Sequence, residues 1–128
     1  MKFQPDTLDG VNVITRHEPS RLWVGTAPYA HSVLVPWRGA VLDWNVSAFA
    51  WLAATHFEQM AQLAPEVVIL GTGTRLRFPA AALMRSLIER RIGVECMDMG
   101  AASRTFNVLA SEGRSVLGAF LIEADVGS

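Results

Sequence analysis

Several kinds of residue are scarce in this chain, and each scarcity excludes something. One cysteine, Cys96, leaves no internal disulfide and fits a reducing compartment. Neither charge sign dominates: 11 basic residues stand against 12 acidic ones, a net charge of −1 that argues against a general nucleic-acid or anionic-membrane binder. Lysine occurs once against ten arginines, a skew that genome composition explains more simply than function does. No apolar run approaches the roughly 18 residues a membrane span needs. The first residues, Met1-Lys2-Phe3-Gln4-Pro5-Asp6, lack the charged and apolar regions of a signal peptide. The expectation is a cytoplasmic protein with no nucleic-acid partner and no membrane span. The three histidines, His17, His31 and His56, have no partner four residues away and no cysteine nearby, so no metal site and no cofactor is expected.

What remains is apolar and patterned. Of 128 residues, 51% are hydrophobic and 18% charged, the composition of a globular chain of one-domain size. Residues 1–128 are read as a single α/β domain: mainly β over 1–45, helical over 46–66, and βαβαβ over 67–122. There is no repeat, low-complexity tract or linker.

In the first third, residues 11–17 and Leu22-Trp23-Val24-Gly25 read as strands around the turn cluster His17-Glu18-Pro19-Ser20, making a hairpin. Ser32-Val33-Leu34-Val35 is another strand, and Pro36 favours an edge position for it because proline cannot donate to a ladder. All four tryptophans (Trp23, Trp37, Trp44, Trp51) lie in this region or just beyond it. They are read mainly as packing, with Trp37 the candidate for a surface role. Ser47 is expected to cap a helix running to about Leu63, with a break near Ala53-Ala54, and its stripe includes Phe49, Leu52, Phe57 and Met60. His56, at the edge of that stripe, is read as structural.

From residue 67 strands alternate with helices. Val67-Val68-Ile69-Leu70 is a buried strand running into Gly71-Thr72-Gly73-Thr74-Arg75. Pro79 opens a helix with Leu83, Met84, Leu87, Ile88 and Ile92 on one face, stopped by Gly93. Gly93 to Met97 is the next strand, parallel and adjacent to the first through a right-handed crossover. Ser103 is expected to cap the last helix, which ends at Gly113. Residues 115–122 form an interior strand in which Gly118 marks a bulge or close packing. The tail from Glu123 is expected to fray.

Ligands of open α/β sheets bind beyond the carboxyl ends of parallel strands. Two such ends carry Gly71, Thr72, Gly73, Thr74 and Arg75 on one side and Asp98 and Gly100 on the other. Ser103, Arg104 and Thr105 open the last helix nearby. Exposed N–H groups and arginines there suit a small anionic ligand, a carboxylate or phosphate. A dinucleotide is disfavoured, because Leu76 stands where the third glycine of the fingerprint belongs and the helix starts late. No P-loop lysine, nucleophile elbow or Ser-His-Asp order is present. Asp98 and Glu95 lack an acid–base partner, and Cys96 has no cationic neighbour to activate it. No catalytic residue is assigned.

Three stretches together resemble a known family: Val-Ile-Leu-Gly-Thr-Gly-Thr (68–74), Gly-Val-Glu-Cys-Met-Asp (93–98), and Ala-Ser-Arg-Thr-Phe-Asn-Val-Leu-Ala-Ser-Glu-Gly-Arg (102–114). They occur in this order in a small domain family that includes bacterial and archaeal proteins of unknown function and the mitochondrial respiratory complex I assembly factor 3. The resemblance implies a three-layer α/β fold, with a mixed five-stranded sheet, flanking helices and an N-terminal β-hairpin layer. It further implies that the last strand runs antiparallel to the others. It also implies an assembly role for the mitochondrial member. The segment Arg104-Thr105-Phe106-Asn107 matches the family pattern, so Asn107 joins the candidate site by position. The expected function is a non-enzymatic accessory or assembly-type protein acting on a protein partner, with a link to respiratory complex assembly as its narrower form. The alternative is a small-ligand-binding protein or enzyme using the Gly71–Arg75 crevice.

Overall fold

A computed structural model describes residues 10–123. The expectations for Met1–Asp6 and for the tail beyond Glu123 lie outside the described residues. Three short strands come first: β1 (Ile14–Glu18), β2 (Arg21–Val24) and β3 (Ala27–Tyr29), joined antiparallel in that order. The expected hairpin is present and gains a third strand.

The larger sheet holds β4 (Val33–Pro36), β5 (Leu42–Asp43), β6 (Val67–Gly71), β7 (Gly93–Met97) and β8 (Val116–Phe120), in the order β5-β4-β8-β6-β7. β6 is parallel to both β7 and β8, whereas β4 is antiparallel to β8 and to β5. The sheet is mixed, as expected, but the strand running against its neighbours is β4. The antiparallel last strand implied by the resemblance is corrected: the helix between β7 and β8 carries the chain back across the sheet, so β8 must run parallel to β6. Nor is β4 simply an edge strand. β5 covers it only at Val33 and Leu34, so Pro36 falls where its missing N–H costs no ladder bond.

Alternation along the strands builds two cores. Val67, Ile69, Val116, Phe120, Val33 and Val35 face one side, with Phe106, Ala102 and Ala110 from α3 (Met99–Ser111) and Ile14, Leu22 and Val24 from the small sheet. Val68, Leu70, Leu117, Ala119 and Leu34 face the other, with Phe57 and Met60 from α1 (Ala54–Gln62) and Leu87 from α2 (Arg85–Glu89). The result is three layers. Close approach explains Gly118: a Cβ there would lie 2.5 Å from the Phe120 ring and 3.0 Å from Phe106, rings that meet edge to face with centroids 6.3 Å apart.

Helix ends differ from the sequence reading in physically specific ways. Ser47 caps nothing; a 3-10 turn at Phe49–Trp51 precedes α1, as the expected break allowed. α1 is capped by a histidine instead, the Ala53 N–H donating to His56 Nδ1 at 2.9 Å. The ring's Nε2 meets the Asn45 carbonyl at 3.0 Å, and its face packs edge-on to Trp44. After Pro79 the chain stays extended through Ala80 and forms a 3-10 turn at Ala81–Met84 before α2, so the helix is shorter than expected and Ile88 is exposed. Arg91 (φ 58°) takes the left-handed position that ends α2, and Gly93 opens β7 instead. Trp44 is buried, Trp23 and Trp37 are half-buried, and it is Trp51, not Trp37, that stands in solvent at 70% exposure. None of the helices among the described residues is long and apolar enough to cross a membrane.

Candidate functional site

The connection leaving β6 passes to the α2 face of the sheet, and the one leaving β7 passes to the α3 face. Their divergence makes the crevice in which doubly wound proteins hold ligands. Here backbone hydrogen bonds close it. Thr72 N–H donates to the Met97 carbonyl at 2.8 Å, and Met99 N–H donates to the Gly73 carbonyl at 2.7 Å, so the two loops are stitched together where a pyrophosphate would sit. Phe106 lies buried beneath, paired with Phe120, and Phe78 points to solvent at 69% exposure; neither plugs the crevice.

Thr72 is fully buried and its polar groups are all engaged. Its hydroxyl donates to the Arg75 carbonyl at 2.8 Å, with the Met97 carbonyl at 3.2 Å, and accepts from Arg77 N–H at 3.0 Å. Its carbonyl accepts from Arg77 Nη2 at 2.6 Å. The same guanidinium meets Glu123 Oε1 at 3.1 Å and lies 4.7 Å from the Phe49 ring centroid, while Glu123 Oε2 accepts from Phe49 N–H at 2.7 Å. Burial pushes the Glu123 carboxyl up, but the Phe49 N–H and the Arg77 charge outweigh it, and the net shift is downward. Glu123, expected to fray, is therefore a fixed point of the fold. Sequence reasoning chose Arg75, which is exposed. It missed Arg77, whose only signal was its place two residues further on in a segment otherwise apolar.

At the head of α3 the cap is Asp98, not Ser103. Asp98 Oδ1 accepts from Ala101 N–H at 2.9 Å, and a carboxylate there also suits the helix dipole. Ser103 lies a turn inside, buried, its hydroxyl donating to the Met99 carbonyl at 2.8 Å. Arg104 is exposed and Thr105 half-buried. Asn107 is not brought to the loop. Its amide clasps β1, donating to the Ile14 carbonyl at 2.9 Å and accepting from Ile14 N–H at 2.8 Å, and so docks the small sheet onto α3.

That docking hangs the β1–β2 turn over the strand ends. A cleft of about 310 Å³ results, with His17, Glu18 and Pro19 on one wall and Gly73, Thr74, Asp98 and Gly100 on the other. A Cβ on Gly100 would come within 3.3 Å of His17 Cε1 and 3.4 Å of an Arg104 guanidinium nitrogen, so Gly100 gives both side chains their room. His17 and Glu18 were read as strand-end and turn residues with no place in the site, because nothing local in sequence shows that β1 folds across the sheet end. No group of three or more His, Cys, Asp or Glu among the described residues is placed to hold a metal ion. Burial pushes the Cys96 thiol up, which disfavours the thiolate a nucleophile would need.

Beyond the cleft the loop carries apolar groups into solvent: Leu76 is 49% and Phe78 69% exposed, on either side of the anchored Arg77. Large exposed apolar groups on a fixed segment are a feature of contact surfaces.

Comparison with known proteins adds relatives to this geometry. The chain is 36% identical over 91 residues to NADH dehydrogenase (ubiquinone) 1 alpha subcomplex assembly factor 3 of Bos taurus, and 35% identical over 91 residues to that of Homo sapiens. Each match takes in 70% of this chain and 49% of the relative, so the chain spans about half the length of the curated relatives it matches. A crystal structure from Bordetella parapertussis is similar with a TM-score of 0.83 at 35% identity, over 89% of this chain and 98% of that one. An NMR structure from Xanthomonas campestris has a TM-score of 0.81 at 29% identity, over 100% of this chain and 97% of that one. The cytoplasmic location expected from the single cysteine and the N-terminal residues is overturned by these relatives, which are assembly factors of NADH dehydrogenase. Since the model of the family described as protein of unknown function (DUF498/DUF598) matches residues 14–121, the chain belongs to that family.

Proposed function

We propose that the chain is a non-enzymatic accessory protein that engages a protein partner through the loop leaving β6, with Leu76 and Phe78 as apolar anchors. The observation that carries this reading is the contrast within that loop. The Thr72 hydroxyl and carbonyl and Arg77 Nη2 fix its backbone, while the two large apolar side chains stay outside the core. A rigid loop loses little conformational entropy on binding, so exposed anchors on it convert more of their burial into affinity. The naming of curated relatives as assembly factors supports the reading, and a role in assembling a respiratory NADH dehydrogenase is its narrower form.

A photo-crosslinking amino acid in place of Phe78, introduced in native cells, tests the contact. Discrete cross-linked species from position 78, and none from a probe at the exposed Ser111 on α3, are expected. Equal labelling from both positions, or none from either, would overturn it.

An anion at the Gly71–Arg75 end is the second reading, supported by the exposed Arg75 on the loop and by the exposed Arg104 guanidinium against Gly100 at the cleft. Asp98 weighs against it, because its carboxylate already occupies the donor end of α3. Thermal-shift measurements with inorganic phosphate and small carboxylates, on the protein and on Arg75→Ala and Arg104→Ala, decide it: an anion-specific rise in Tm lost in the variants favours this reading, and no rise removes it.

A further inference from the structure

A second and larger cleft, of about 530 Å³, opens where β4 begins and β8 ends. Trp44, Trp51 and Ile122 supply its apolar wall, and His31, Asp43 and Asn45 its polar one. Trp51 is the most exposed large hydrophobic side chain among the described residues, at 70%. Its backbone is nonetheless fixed: Trp51 N–H donates to the Ala48 carbonyl at 3.0 Å, and Phe49 N–H is held by the Glu123 carboxylate. An indole held out of the core by an anchored turn leaves most of its π surface accessible.

Among the described residues, Asp43 is the only Asp, Glu, Lys or Arg lining this cleft. Its position is set from two sides. The backbone pairs with Val33 across β4 and β5, and Oδ1 accepts from His31 Nε2 at 2.8 Å. The His31 ring is in turn met edge-on by Tyr29, with centroids 6.0 Å apart. Oδ2 has no partner among the described residues. The cleft thus combines one oriented carboxylate oxygen, an open indole face, and the Asn45 amide.

An anion would be repelled by Asp43, and a neutral apolar group would desolvate the carboxylate without replacing its water. A metal ion would find a single carboxylate where several hard ligands are needed. A delocalised or alkylated cation satisfies both walls at once, since the indole quadrupole attracts positive charge and the carboxylate supplies the counter-charge. We propose that this cleft binds an organic cation of the guanidinium or alkylammonium class, held between Asp43 Oδ2 and the face of Trp51. The charge comes either from an arginine or lysine side chain of another protein or from a free amine.

NMR titration of the 15N-labelled chain at neutral pH and low salt tests it, using agmatine as a free guanidine, Nα-acetyl-arginine N-methylamide as a capped side chain, and the equivalent capped citrulline as a neutral isostere. Saturable shifts at the Trp51 indole and at the amides of residues 30–32 and 43–47 are expected with a cation and not with citrulline. Asp43→Asn and Trp51→Ala each weaken binding about fivefold, both side chains being exposed enough for the fold to survive. Tighter binding of capped arginine assigns the source to a protein side chain, and tighter binding of agmatine assigns it to a free amine. No saturable shift with either cation, equal shifts with citrulline, or unchanged affinity in both variants would overturn the proposal.

Discussion

Gly118 is where the packing of single residues is tightest. With the Phe120 ring 2.5 Å and the Phe106 ring 3.0 Å from where its Cβ would be, Gly118→Ala must push one ring off its rotamer between a buried helix and a buried strand. Overpacking of this kind costs about 1–3 kcal/mol, to be read as a lowered urea midpoint with an unchanged m-value. Glu123 makes the corresponding electrostatic prediction. Its carboxyl is held below the ordinary value of 4.5, so its contribution to stability is fully present above that value and is lost as pH falls through the lower folded-state value. Glu123→Gln should flatten the acid limb of the stability profile below about pH 4.5 and leave the neutral region shifted by a constant amount. A steeper acid limb in the variant would contradict the pairing. Neither residue's role was open to inspection of the sequence in full. Gly118 stood out as a glycine in an apolar strand, which is a local signal of close packing. Glu123 did not, because its partners Phe49 and Arg77 are 74 and 46 residues away.

At the scale of elements, alternation and turn chemistry carried most of the reading. Val67 to Leu70, the hairpin around Pro19 and the apolar run ending near Phe120 were legible because burial on both faces or on one face writes itself into residue type. Helix starts were misplaced wherever two capping residues competed. Asp98 and Ser103 both satisfy the rule for an N-cap, and only the stitched β6–β7 loops decide for Asp98 by bringing the chain into helical geometry at Met99. At α1 the capping group is the ring of His56, a residue type outside the usual rule. Removing the α3 cap with Asp98→Ala should cost about 1 kcal/mol and speed hydrogen exchange in the first turn of that helix. Asn107→Ala acts between elements. It strips both amide bonds from Ile14, so amide exchange in β1 should rise well before that of β6, while Ser103→Ala leaves β1 unaffected. Uniform loss of protection across the sheet would show that the clasp is not a local one.

For the whole molecule, layer order and the parallel β6–β7 pair were within reach of the sequence, whereas the direction of β8 was misjudged. The direction of β8 follows from the α3 crossover, and its place beside β6 goes with the packing of α3 on Ile69 and Val67 rather than with anything in residues 115–122. The same distance in sequence hid the cleft walls, since His17 and Gly100 meet only once the small sheet is docked. The proposed function rests, at this scale, on a division of labour around the β6 exit: polar groups turned inward to fix the loop, apolar ones turned outward. Because Leu76 and Phe78 contribute little to the core, replacing both with serine should leave the unfolding free energy from urea titration within about 0.5 kcal/mol of the parent.

Complementation tests that division most directly. In cells lacking the gene, the amount of assembled NADH dehydrogenase on native gels is measured after returning either the parent chain or the Leu76→Ser, Phe78→Ser variant, expressed at matched levels. The parent is expected to restore the assembled enzyme, and the equally stable variant is not. Restoration by the variant to the parent's level would contradict that expectation.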